Sequence, residues 1–172
     1  AEPDTLDAHK TGAGISDFVM QFIGGSLITK APDGTYVPSL AESWTTSEDG
    51  LVWEFKLRED VKFHNGDPFT AEDFVYTYQR AVDPATASTA TGPNLAPVAS
   101  FEAPDPYTFR MTLAQPFYPI LEALADPGYM MPLSKRAVEE GGDNYGRNPV
   151  SVGPYKLKEW ATGERIVLER NP

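Results

Sequence analysis

The chain has 172 residues, 41% hydrophobic and 23% charged, which is enough to bury a core in one domain or two small ones and too apolar for disorder. Lys and Arg number 14 against 25 Asp and Glu, and the formal net charge of −11 repels nucleic-acid phosphates and anionic lipid alike. No stretch approaches the roughly 20 apolar residues of a membrane span, AEPDTLDAHK at the start lacks the basic and apolar regions of a signal peptide, and the absence of cysteine excludes disulfides, thiolate metal sites and a cysteine nucleophile.

In chain order, Lys10 to Gly14 (KTGAG) places two glycines before a helix start, where bare backbone can approach a ligand and free amides point outward. Ile15 to Leu27 sets Phe18, Val19, Phe22 and Ile23 on one helical stripe, with Ser16 as N-cap and Gly24 and Gly25 as the stop; a core role is expected for the stripe. Asp49 and Gly50 form a hairpin turn dipeptide, and Trp53, Phe55 and Leu57 alternate with Val52, Glu54 and Lys56, so the first set should face a core. Val61 and Phe63 extend the alternation until His64, Asn65 and Gly66 turn the chain. Thr70, three residues before Asp73 and ahead of Phe74, Val75, Tyr78, Ala81 and Val82, predicts a capped helix with one apolar face.

From Pro84 to Pro106, five prolines among Ala, Ser and Thr predict an ordered but irregular connection, long enough that Ser88 to Asn94 could line a binding surface. Tyr107, Phe109, Met111 and Leu113 alternate with polar residues as a strand, with a second hairpin starting nearby. Ile120 to Ala125 and Ser134 to Glu140 read as short helices, and Tyr155 to Trp160 with Arg165 to Glu169 as a terminal hairpin.

The catalytic inventory is thin. His9 and His64 are the only histidines, and neither has the close partner that metal sites show. No G-x-S-x-G elbow, dinucleotide fingerprint or P-loop occurs. Glu72 with Asp73, and Glu139 with Glu140, are adjacent on helices and point apart, which suits solvation better than paired acid and base work. A hydrolase using His64 with Asp67 or Asp73 is the alternative from an enzymatic class.

Four stretches in order, PDTLDAHK near the start, PSLAESWTTSEDGLVWEFKLREDVKFHNGDPFTAEDFVYTYQR over 38–80, VDPATAS after it and GPYKLKEWATGERIVLERNP at the end, carry a resemblance that runs over essentially the whole chain. It resembles the family 5 extracellular solute-binding proteins, the oligopeptide-binding members most closely. The resemblance implies a mixed α/β fold with antiparallel or mixed sheet, hairpins and short helices, forming part of the first lobe of a type II periplasmic-binding-protein fold. It implies a first-lobe segment with a cleft-bordering loop and helix over 1–40, a small subdomain over 41–148 and a return hairpin over 149–172, with the second lobe outside this chain. It implies no catalysis and no cofactor, an oligopeptide ligand, ABC permease subunits as partners, a monomer at full length, and a periplasmic location or a lipid-anchored extracellular one.

The segment after Leu6-Asp7-Ala8-His9-Lys10 borders the cleft in this family, which assigns Gly12, Ala13 and Gly14 to substrate binding through main-chain groups. The run after VDPATAS assigns Ala90, Thr91, Gly92 and Pro93 likewise. Dipeptide, nickel chelate, oligosaccharide and opine-like cargo remain open on first-lobe residues alone.

Overall fold

The computed structural model describes residues 2–172. Helix α1 (Gly14–Ile23) leads into a small antiparallel pair, β1 (Ile28–Lys30) and β2 (Tyr36–Pro38). Strands β3 (Ala41–Thr46) and β4 (Val52–Leu57) form the hairpin expected at Asp49-Gly50, where Gly50 has φ +72°, a conformation that favours glycine. Helix α2 (Ala71–Val82) follows, then a 3₁₀ turn at Pro84–Thr86 and the short helix α3 (Thr91–Asn94). Strands β5 (Val98–Asp105) and β6 (Thr108–Leu113) complete a four-stranded antiparallel sheet of order β3-β4-β6-β5. Helices α4 (Ile120–Leu124) and α5 (Lys135–Gly141) and a 3₁₀ stretch over Gly142–Arg147 lead to the terminal hairpin of β7 (Tyr155–Ala161) and β8 (Arg165–Arg170). The result is a mixed α/β fold whose strand pairings are antiparallel.

Two hydrophobic cores result. The larger packs α2 onto one face of the four-stranded sheet: Phe55, Phe69, Phe74, Tyr78, Phe101 and Phe109 are buried together, with ring centroids 5.3 to 6.4 Å apart along their contacts. Trp53, Phe55 and Leu57 all point into it, as the period-two alternation requires. The α2 start carries the expected device, the Thr70 N–H donating 2.8 Å to Asp73 Oδ2. The smaller core gathers Leu6, Ala8, Met20, Ile23, Met131, Leu133 and Tyr145, and the β7–β8 hairpin leans on it through Leu157, Trp160 and Leu168. Consecutive residues serve different cores: Met130 lies in the larger and Met131 in the smaller, both fully buried.

Several expectations are corrected. Helix α1 starts at Gly14 and has Ala13, not Ser16, at its N-cap, while it stops at Gly24 as expected; Ser16 sits buried in the first turn, its hydroxyl donating 2.7 Å to Asp4 Oδ1. The stripe is core only in part: Ile23 is buried and Val19 packs against the smaller core, but Phe18 is 59% and Phe22 41% exposed, and Ser16 and Met20 are buried in their place. Both sides of this helix are apolar, so periodicity cannot choose between them, and the choice falls to the side that Leu6, Ala8 and Met131 cover.

The irregular connection ends earlier than Pro106, since β5 is a regular eight-residue strand that includes Pro104. Proline is tolerated there because β5 is the sheet's edge and its ladder shifts register between Glu102 and Asp105. It follows that β6 closes the second hairpin rather than opening it. Finally, the alternation at Val61 and Phe63 yields only an isolated bridge, Lys62 to Pro68, in place of a strand.

Candidate functional site

The amino-terminal segment builds the site from beneath. Asp4 Oδ1 accepts the hydroxyls of Thr11 and Ser16, each at 2.7 Å, and Thr11 Oγ1 in turn accepts the Ala13 N–H at 3.1 Å. These bonds hold the Asp4 carboxyl below the usual carboxylate range and fix the Lys10–Gly14 loop on both sides. Gly12 and Gly14 are exposed, and among the described residues nothing accepts the N–H groups of Gly12, Gly14 or Ile15. The Gly12–Gly14 part of the loop therefore presents main-chain donors, with no side chain larger than the Ala13 methyl. Neither glycine is forced by packing: a methyl at Gly14 would meet nothing within 4 Å, and one at Gly12 only Thr89, at 3.4 Å from Oγ1.

That last approach shows that the two segments singled out in the sequence are neighbours. Thr89 faces Gly12, and Thr91 Oγ1 lies 3.1 Å from the Ala8 carbonyl and 2.7 Å from that of Tyr129. Thr91 is fully buried, so its hydroxyl ties the second loop to the segment that carries the first. Gly92 backs onto the Ala81 carbonyl too closely for any side chain. Ala90 is half-buried, and the exposed Pro93 faces away, into a groove of about 670 Å³ that it shares with Gln21, Asn94, Phe117 and Asp126. Thr89 falls within the Ser88–Asn94 run that the sequence singles out, whereas Asp4 and Asp7 as supports were missed; their pairings span loops and leave no periodic signal.

Beneath both loops lies a buried ion pair. Arg80, in the last turn of α2, donates to Asp7 through Nη1 at 3.0 Å and Nη2 at 2.7 Å, the two side chains being 15% and 4% exposed. Its Nη1 also lies 2.6 Å from His9 Nδ1, and the His9 N–H donates 3.1 Å to Asp7 Oδ1. Burial opposes charge on Asp7, but the bonds and charge of Arg80 outweigh it and hold the carboxyl low. Burial, with Arg80 adding to it, pushes His9 down to about 3. An imidazole accepting at Nδ1 carries its proton on Nε2, which has no partner among the described residues.

His64 is engaged elsewhere. Its Nε2 lies 3.0 Å from the Gly153 carbonyl, its Nδ1 accepts from the Ser151 N–H at 3.4 Å, and its own N–H donates to the Ser151 carbonyl at 2.9 Å. Burial lowers its pKa, so the ring is a neutral staple between the 63–67 turn and the segment before β7. Asp67 takes Asn65 and Arg136, and Asp73 takes Thr70, so neither carboxylate serves His64 as a dyad requires.

The model of the bacterial extracellular solute-binding proteins, family 5 Middle, matches residues 35–172. The chain belongs to this family. The periplasmic oligopeptide-binding protein OppA of Salmonella typhimurium is 38% identical over 191 residues, an alignment that covers 100% of this chain and 35% of that protein. The glutathione-binding protein GsiB of Escherichia coli O1:K1 is 43% identical over 167 residues, covering 96% of this chain and 32% of GsiB. Among solved structures, Haemophilus influenzae OppA in complex with RPPGFSPFR superposes with TM-score 0.90 at 35% identity, covering 100% of this chain and 37% of that one. The chain thus spans about a third of the length of the relatives it matches.

Proposed function

We propose that this chain supplies the amino-terminal part of a substrate-binding component that captures oligopeptides outside the cytoplasmic membrane and delivers them to an ABC permease, without catalysis. The observation that carries the reading is the Gly12–Gly14 loop, whose Gly12 and Gly14 amides have no acceptor among the described residues and lie beside the Thr89–Thr91 stretch. Donors of this kind grip a ligand through its backbone, which lets side chains vary, as an added strand does. Gly12, Ala13 and Gly14 are proposed to meet ligand directly. From the second stretch Ala90 contributes by main chain, while Thr91 and Gly92 hold its shape and Pro93 borders it. No helix of the described residues is long and apolar enough to cross a membrane, which is consistent with a role on one side of it.

A second reading keeps the transport role and changes the cargo to a small peptide-like thiol, favoured by the 43% identity to a glutathione-binding protein. Native mass spectrometry of the protein at the full length of its relatives, purified without added ligand, tests both. A heterogeneous set of adducts that fragment as short peptides supports the first reading; one uniform adduct of glutathione mass overturns it in favour of the second.

A further inference from the structure

The buried group of Asp7, His9 and Arg80 has no place in solvent-facing chemistry, yet it sits between the two loops just described. We propose that Arg80 is a positioning residue whose bidentate grip on Asp7, backed by His9, sets the register of the Lys10–Gly14 loop against the Thr89–Gly92 stretch. The proposal rests on the reading of those loops as ligand-facing.

The chain path makes the connection short. The Asp7 carbonyl accepts the Lys10 N–H at 3.0 Å, so the residue that Arg80 grips also opens the turn into the first loop. The Ala8 carbonyl lies 3.1 Å from Thr91 Oγ1, so the next residue anchors the second. Arg80 stands in the last turn of α2, the helix of the larger core, while Asp7 follows Leu6 of the smaller one. A planar guanidinium bonded to both oxygens of a carboxylate fixes distance and angle together, which a hydrophobic contact does not.

The energetics point the same way. A desolvated ion pair contributes little net stability and is often matched by apolar side chains of similar volume, whereas its geometric demand is strict. The fold also tolerates an unpaired, fully buried His9 Nε2 as a consequence of turning Nδ1 toward Arg80. A cluster whose contribution was stability alone would be better served by leucine and methionine.

The test is the triple exchange Asp7→Leu, His9→Leu, Arg80→Met in the protein at the full length of its relatives, with Arg80→Lys as a second variant that keeps the charge and loses the fork. Two readouts are taken beside the thermal midpoint: hydrogen exchange at Gly12–Ile15 and Thr89–Gly92, and affinity for RPPGFSPFR as the probe. Expected are loop amides exchanging at least tenfold faster in both variants, with β4 and β6 unchanged and probe affinity reduced about tenfold. Unchanged loop exchange in a variant that folds overturns the proposal, as does acceleration spread equally over β4 and β6. If the unmutated protein binds no peptide while its loops still loosen on exchange, the positioning role stands and the peptide reading falls.

Discussion

At the scale of single residues, the histidines make acid sensitivity legible. His9 titrates near 3 in the fold against 6.5 unfolded, and His64 is also lowered. The unfolded chain therefore binds more protons than the native one just below pH 6.5. The stability these groups contribute is complete above that value and is lost as pH falls toward their folded values. Urea unfolding at pH 7.5, 6.0 and 5.0 should show the midpoint falling stepwise, and His9→Leu should flatten the slope.

Glycines offer a contrast of the same grain. Gly14→Ala adds a methyl to open space at the first residue of α1 and should leave stability unchanged or raise it by up to about 1 kcal/mol. Gly153→Ala drives a methyl into the Ile23 and Gly24 carbonyls and should cost about 2 kcal/mol or more. Thermal melts of the two variants check both signs.

At the scale of elements, legibility followed locality. The Asp49-Gly50 hairpin, the Thr70-capped α2 and the terminal hairpin each rest on residues a few positions apart, and each was readable. On helix α1 the pattern places Ile23 in the core correctly but cannot tell Phe18 and Phe22 from Met20, because all three are apolar and only Leu6, Ala8 and Met131, distant in sequence, decide between them. Strand β5 was hidden by its proline, which an edge position excuses. The candidate loops were found by glycine content and resemblance, but the Asp4, Asp7 and Arg80 supports were not, since nothing in a linear pattern pairs residues 73 positions apart. The corrected assignment has a consequence: Phe18→Ser and Phe22→Ser should each change stability by about 1 kcal/mol or less, because the rings are 59% and 41% exposed. Phe109→Ala, in the middle of the larger core, should cost about 3–5 kcal/mol. Denaturant unfolding of the three variants distinguishes the two faces.

At the scale of the whole molecule, the proposed site is a single wall. Its amides project from one side, and about two thirds of each relative's length has no counterpart here. Hydrogen bonds to a ligand strengthen when water is shut out, and an open wall cannot shut it out. Titration calorimetry with RPPGFSPFR should give weak or no binding to residues 1–172 alone and at least a hundredfold tighter binding once the remaining length is joined. Submicromolar affinity of the short chain would sink this expectation. Acidity acts at this scale too, since a net charge of −11 spread over the surface favours cationic or neutral peptides in the encounter step over acidic ones.

The adjacent burial of Met130 and Met131 bears on how such a wall would travel. One side chain is sunk in each core, so tilting one core against the other would strain the backbone torsions of this dipeptide, with two dense packings resisting it. Coupled in this way, the two cores are expected to tilt together rather than separately, carrying the proposed loops with them as one body.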